Sequence, residues 1–145
     1  GMGWAMACDL RFASERARFS TAFLSVGVSG DMGLAWSLAR IIGGARAREL
    51  LFFPERFGAG EAHRLGLVTR LFAADALHCE ALTLAEHLAK RDPLALRLMK
   101  ANCLSAETLP IDEYIEVESA RHLQTTSRPE LVSLMSEGHA RDKGK

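Results

Sequence analysis

Apolar residues recur at helical spacing in several segments of the chain. Leu34, Leu38 and Ile41 are three or four positions apart, which indicates a helix with one buried face. Gly43 and Gly44 follow this segment and predict its end, because glycine readily terminates a helix. Further helices are predicted for residues 2–8 and 45–53 and for a short segment ending at Gly66.

Strand-like patterns are few and short. The segments "LRFAS" and "ARFST" alternate polar and apolar residues, and residues 67–72 have strand character. Strands with helices between them predict an α/β fold. Two or three short strands do not make a stable sheet alone, so we expect a further segment or a partner to complete it.

Helices alone are predicted for the second half of the chain. Pro93 and Pro110 stand where helices commonly begin, and Asp92 before Pro93 is a good capping residue. Ser127 and Glu130 form a capping box that predicts the start of the last helix. These patterns divide the chain into a mixed part, residues 1–72, and a helical part, residues 73–145.

Composition narrows the class of protein. At 145 residues, with 48% hydrophobic and 25% charged residues, the chain is typical of a soluble globular domain. Its 18 basic and 18 acidic residues balance, which argues against nucleic acid or an anionic membrane as partner. The three cysteines are far apart and suit a reducing cytoplasm, and no apolar run approaches the roughly 20 residues that span a bilayer.

Three motifs together carry a resemblance to a known family. The segments "ACDLRFAS", "SGDMG" and "AGEAHRLGLV" resemble the enoyl-CoA hydratase/isomerase (crotonase) family, and the similarity covers nearly the whole chain. The resemblance implies the C-terminal part of a spiral of ββα turns in residues 1–72, followed by a helical trimerisation region in residues 73–145. It also implies a homo-oligomer, either a trimer or a hexamer.

The resemblance implies a substrate and a way of activating it. Family members act on acyl-CoA thioesters, so coenzyme A is part of the substrate and no separate cofactor is expected. Two backbone N–H groups form an oxyanion hole that stabilises the enolate, each contributing about 3 kcal/mol. The resemblance places one donor upstream of this chain and the other one residue before Gly1, which leaves Gly1 as the neighbour of the hole. We therefore expect an incomplete chain with low activity.

The acidic residues of the family are only partly matched. The two glutamates that add water in hydratases fall on Gly3 and Phe23, neither of which can transfer a proton. Asp31 matches the position of a catalytic aspartate in dienoyl-CoA isomerases and in an aromatic acyl-CoA dehalogenase of the family. The alternative is that Asp31 caps the helix that follows it. Isomerisation or hydration of an enoyl-CoA is the parent chemistry, with two-glutamate hydration in doubt.

The residues around Asp31 are candidates for a substrate pocket. They are Phe23, Leu24, Ser29 and Gly30. The aromatic and aliphatic members have core packing as their alternative role, and Ser29 has the role of a turn residue.

Other candidates for binding are weaker. The arginines at 40, 46 and 48 could contact coenzyme A phosphates, but a solvated helix face is the simpler interpretation. Where family members offer an aromatic residue and a lysine to the nucleotide, the alignment gives Ser119 and Gly138. No metal site is expected, because His78 and His87 are nine residues apart and do not share a helical face. His63 and His139 are interpreted as surface residues.

A different class of function stays open. The lost glutamate positions and the unmatched first half of the family favour a non-catalytic helical module for oligomerisation or binding. An enzyme of this family would bind an acyl-CoA and depend on Asp31, whereas such a module would self-associate and depend on neither.

Overall fold

Helices and strands alternate at the start of the chain and give way to helices alone. The computed structural model describes residues 1–129. The first elements are α1 (Met2–Met6), β1 (Phe12–Ser14), β2 (Arg18–Phe19), a 3₁₀ turn (Leu24–Val26), α2 (Leu34–Ile42), α3 (Gly44–Phe52), β3 (Phe57–Gly58), α4 (Ala59–Arg64) and β4 (Arg70–Phe72). The later helices are α5 (Leu77–Ala89), α6 (Pro93–Ala106) and α7 (Ile111–Thr126).

The chain forms two compact units, and each is described by itself. The first unit is Gly1–Ala85 and the second begins at Glu86. This division lies inside α5, whereas the sequence patterns divide the chain at residue 72, where the last strand ends. The two boundaries differ because the first turns of α5 belong to the unit that contains the strands. The predicted capping box ends at Glu130, which lies outside the described residues, as do Gly138 and His139.

The four short strands pair over long sequence distances. β1 and β4 are parallel, with Ala13 opposite Leu71, and β2 and β3 are antiparallel, with Phe19 opposite Phe57. The Phe19 and Phe57 rings stack with their centroids 5.6 Å apart. A parallel pair needs a crossover connection, and α2, α3 and α4 lie within it. The predicted α/β class is confirmed for these residues.

The predicted strand at residues 67–72 is shorter than expected. The N–H groups of Leu67 and Val68 donate to the Ala62 carbonyl oxygen, at 2.9 and 3.2 Å. These two residues therefore form the turn after α4, with both side chains buried, and the strand begins only at Arg70. Leu67 and Val68 are apolar because they are buried in a turn, and they are not part of the paired strand.

The core of the first unit lies beneath α2. Leu34 and Leu38, one helical turn apart on α2, are buried together with Met6 of α1 and Ala47 of α3. This is the face that the spacing of apolar residues predicts. The glycine pair also ends α2 as predicted, with Gly43 at a φ of 78°.

Large apolar side chains are also exposed in the first unit. Trp4 is 72% exposed, Val26 73% and Trp36 60%. Exposed apolar side chains mark contact sites where they form a contiguous patch, whereas single ones are common on protein surfaces.

The second unit contains a helical hairpin with a defined start. The Asp92 carboxylate caps α6 by accepting the Ala95 N–H at 2.7 Å, as the sequence predicts, and it also pairs with Arg128 at 2.7 Å. Across the hairpin, Arg121 of α7 donates to Asn102 and Ser105 of α6, each at 3.0 Å. Polar contacts therefore join the two helices. In the described part of the chain, no helix is both long and apolar enough to cross a membrane.

Loss of the Asp92 charge is expected to change the acid stability of this hairpin. The hydrogen bond from Arg128, followed by that from Ala95, lowers the pKa of Asp92. Its stabilisation is therefore present above the ordinary aspartate pKa of about 4 and is lost as pH falls through the lower folded-state value. We expect the melting temperature of the wild-type chain, followed by helical circular dichroism, to decrease progressively below about pH 4.

The Asp92→Asn variant is the matched control, because asparagine keeps an acceptor for the Ala95 N–H but has no titrating charge. The variant should have a lower melting temperature than wild type at neutral pH. Its melting temperature should fall less than that of wild type on acidification. Equal decreases in the melting temperatures of the two proteins on acidification would contradict a stabilising role for the Asp92 charge.

Candidate functional site

A loop rich in left-handed backbone conformations precedes α2. Gly27, Gly30, Met32 and Gly33 have positive φ angles of 72°, 115°, 51° and 67°. Glycine adopts this region freely, whereas a residue with a Cβ atom is disfavoured there. The sequence predicts the glycine turn but not the conformation of Met32, because no pattern marks a methionine for positive φ. Of these four residues only Met32 is strained, and strained residues cluster at functional sites.

Asp31 lies in this loop and does not cap α2, so the capping hypothesis is wrong. The N-cap residue is Gly33, without a side-chain hydrogen bond to the helix, and it is the Asp31 backbone oxygen that accepts the Leu34 N–H, at 3.1 Å. The positive φ angles of Met32 and Gly33 delay the helix start beyond the reach of the Asp31 side chain. Asp31 is exposed, and its carboxylate accepts no hydrogen bond from any residue between 1 and 129. This carboxylate is therefore available to a ligand.

The start of α1 packs against the same loop. A Cβ atom built on the buried Gly3 would lie 2.9 Å from the Met32 Cβ, so the two backbones approach closely. Gly1 is the N-cap of α1, and its carbonyl oxygen accepts the Ala5 N–H at 3.2 Å. Asp31, the candidate acid, is thus adjacent in sequence to Met32. Gly1, the candidate neighbour of the oxyanion hole, is two positions before Gly3.

The four pocket candidates lie in the same loop but differ in exposure. The Val28 N–H donates to the Phe23 carbonyl oxygen at 2.9 Å, which closes residues 23–28 into a compact turn. Leu24, Ser29 and Gly30 are exposed, and the last two directly precede Asp31 in sequence. Phe23 is half-buried and packs against the core, which favours its alternative role as a core residue.

Two of the three arginine candidates, Arg40 and Arg46, contact neighbouring side chains. The Arg40 guanidinium lies over the Trp36 ring, 3.6 Å from its centroid, and Arg46 forms an ion pair with Glu49 at 2.5 Å. An arginine already paired with a carboxylate is a poorer phosphate ligand. These contacts favour the interpretation of a helix face over a phosphate site.

Two further residues considered from the sequence, His63 and Ser119, lie in α4 and in α7, respectively. His63 is exposed, as the sequence predicts, and its Nδ1 also lies 2.9 Å from the Val68 carbonyl oxygen, a contact that joins α4 to the following turn. Ser119 lines a groove of about 500 Å³ between α6 and α7, together with Asn102 and His122. Within residues 1–129, no three His, Cys, Asp or Glu side chains are grouped closely enough to hold a metal ion.

The chemistry available at the Asp31 loop is that of one carboxylate. Asp31 can accept or donate a proton, but the residue facing the loop from α1 is Gly3, which has no side chain. Activation of water between two carboxylates needs a second acid. The arrangement therefore suits proton transfer by one group better than addition of water by two.

A family model described as enoyl-CoA hydratase/isomerase matches residues 1–139 of the chain. A short-chain-enoyl-CoA hydratase of Clostridioides difficile is 39% identical over 120 residues, which cover 82% of this chain and 77% of that protein. A 1,2-epoxyphenylacetyl-CoA isomerase of Escherichia coli K12 is 33% identical over 118 residues, covering 81% of this chain and 45% of the relative.

Solved structures resemble this chain over nearly its whole length. An enoyl-CoA hydratase subunit I of Geobacillus kaustophilus superposes with a TM-score of 0.88 at 31% identity, covering 97% of this chain and 55% of that one. A Thermobifida fusca protein in complex with acetoacetyl-CoA gives a TM-score of 0.84 at 26% identity, covering 88% of this chain and 50% of that one. The chain thus spans about half the length of three of these four proteins, and the likenesses support a crotonase-like α/β fold.

Proposed function

The chain belongs to the enoyl-CoA hydratase/isomerase family, and we propose that it acts on an enoyl-CoA thioester by moving a proton through Asp31. The family is the one that the sequence motifs predict. The placement of the chain in the C-terminal part of the ββα spiral stays a prediction. Enolate stabilisation in an oxyanion hole next to Gly1 is part of the proposal.

The reaction that fits one carboxylate is a shift of the double bond. Asp31 removes a proton from the carbon between the thioester carbonyl and the double bond of a 3-enoyl-CoA, and the electron pair moves onto the thioester oxygen. The protonated Asp31 then returns the proton to the far carbon of the former double bond. The product is the conjugated 2-enoyl-CoA, and no water or external oxidant is consumed.

The observation that carries this proposal is the environment of Asp31. Its exposed carboxylate has no hydrogen-bond partner among residues 1–129, and it lies in a loop of left-handed residues that packs on α1. A structural aspartate would be expected to hold a cap or an ion pair, as Asp92 does. The complex of the Thermobifida fusca protein with acetoacetyl-CoA supports an acyl-CoA as the ligand class.

Calorimetric titration of the purified chain tests the substrate class. We expect crotonyl-CoA to bind with micromolar affinity and about tenfold more tightly than coenzyme A alone, a difference of about 1.4 kcal/mol, because the acyl group and the thioester carbonyl reach the loop. Bare coenzyme A is the control for the nucleotide. Equal binding of the two, or no heat with either, would contradict the proposal.

A second candidate function is favoured by the exposed apolar residues. Trp4, Val26 and Trp36 fit a chain that associates with itself or with a partner without performing chemistry. The same exposure fits a catalytic homo-oligomer, either a trimer or a hexamer, which is the assembly we propose. The titration separates the two functions, because a module without chemistry would not prefer the acylated ligand.

The cellular setting is also part of the proposal. Cys8, Cys79 and Cys103 are all exposed and free. Free exposed thiols suit a reducing compartment, which supports action in the cytoplasm.

A further inference from the structure

Gly3 of α1 and Met32 of the Asp31 loop make a contact that excludes a side chain at position 3. A Cβ atom built on Gly3 would lie 2.9 Å from the Met32 Cβ and 3.5 Å from the Met32 carbonyl oxygen. The first distance is closer than real Cβ contacts come, and Gly3 is buried. Any residue other than glycine here must displace Met32.

Met32 is itself held in an unusual conformation. Among residues 1–129 it is the only residue other than glycine with a positive φ, at 51°. A side chain with a Cβ atom leaves this region unless the surrounding structure prevents it. Packing on Gly3 from one side, and the start of α2 at Gly33 and Leu34 on the other, supply that constraint.

We propose that Gly3 is a positioning residue for Asp31. Because Gly3 has no Cβ atom, the Met32 Cβ can pack directly against it. This contact fixes the Asp31–Met32 peptide against α1. The carbonyl oxygen of the same peptide, that of Asp31, accepts a hydrogen bond from the Leu34 N–H at 3.1 Å. The peptide that follows Asp31 is thus held by two contacts, although the Asp31 carboxylate has no partner in the described residues. The inference rests on the proposed function of Asp31.

The space that a second acid on α1 would need is already filled by Met32. A Gly3→Glu change should therefore displace Asp31 rather than complete a pair of carboxylates. We expect it to lower double-bond isomerisation without producing hydration of crotonyl-CoA. A gain of hydration with isomerisation intact would overturn the inference.

The chain offers a matched control for position 3. Gly3 is the second residue of α1, and Gly60 is the second residue of α4, with no atom within 4 Å of its built Cβ. We expect Gly60→Ala to leave the melting temperature unchanged or raised, because alanine favours helix. Gly3→Ala should lower the melting temperature by about 5 °C and shift the amide resonances of Asp31 and Gly33.

Removing the Met32 side chain tests whether the contact is the cause. In a Met32→Gly background, the atom nearest to an alanine at position 3 is the backbone oxygen at 3.5 Å, an ordinary contact. Gly3→Ala should then cause no further change in melting temperature or in the Asp31 resonance. Equal effects in the two backgrounds would overturn the inference.

Kinetics separate positioning from stability. We expect Gly3→Ala to lower kcat for isomerisation about tenfold with KM unchanged, and to have no further effect in an Asp31→Asn background. The resonance measurement needs no turnover, so unmoved Asp31 signals overturn the inference even where Asp31 proves catalytic. Shifted signals with an active Asp31→Asn variant would instead overturn the proposed function and leave the contact established.

Discussion

The Asp31→Asn variant is expected to isomerise a 3-enoyl-CoA at least about 100-fold more slowly than the wild-type chain, which is the lower end of the contribution of a general base. Asparagine keeps the size of the side chain but cannot take up the proton. Because Asp31 is exposed and holds no cap, its replacement should leave the fold intact. The rate is measured from the ultraviolet absorbance of the conjugated product.

The loss should appear in kcat rather than in KM, since a base acts mainly in the transition state. Asp75→Asn is the control, because it makes the same chemical change at an exposed aspartate in the turn before α5. The two variants should have equal melting temperatures within about 2 °C. If Asp31→Asn keeps more than a tenth of the wild-type kcat, Asp31 is not the base.

The helices were predictable from the sequence because their signals are local. The bounds of α2, Leu34–Ile42, follow from apolar residues at helical spacing and from the glycines that end the segment. The start of α6 follows in the same way from the Asp92–Pro93 pair, which places a cap before a residue suited to the first helical position.

The strand pairing was not predictable, because it depends on distant contacts. β1 contacts β4 across the chain, with Ser14 opposite Phe72, and β3 has only two residues, Phe57 and Gly58. A two-residue strand carries no alternating pattern. Its pairing is set by the stacked phenylalanines and by the helices packed beside it.

The candidate site was found only in part. Asp31 was selected because the family resemblance matches it to a catalytic aspartate. The alternative role as a cap was wrong, because Met32 and Gly33 carry the chain through two left-handed residues before α2 begins. The role that we assign to Gly3 depends on a backbone contact with a residue 29 positions away (32 − 3). Composition and spacing carry no information on such a contact.

Packing beneath α2 underlies both the fold and the site, because α2 begins directly after the Asp31 loop. Leu38 is fully buried in the core cluster, with 0% of its surface exposed. The Leu38→Ala variant is expected to lower the free energy of unfolding of the first unit by about 3 kcal/mol, through lost burial and the cavity left behind. For a small domain this is a large share of a total of roughly 5–15 kcal/mol.

Urea unfolding followed by tryptophan fluorescence measures this effect on the correct unit. The chain has two tryptophans, Trp4 and Trp36, and both lie in the unit Gly1–Ala85, so the second unit contributes no tryptophan signal. Leu82→Ala is the matched control, since that leucine of α5 is 51% exposed in the same unit and its loss should cost less than about 1 kcal/mol. Equal shifts for the two variants would mean that Leu38 is not packed as described. A large shift for Leu38 alone, with reduced isomerisation at sub-denaturing urea, would show that the core beneath α2 also holds the Asp31 loop in place.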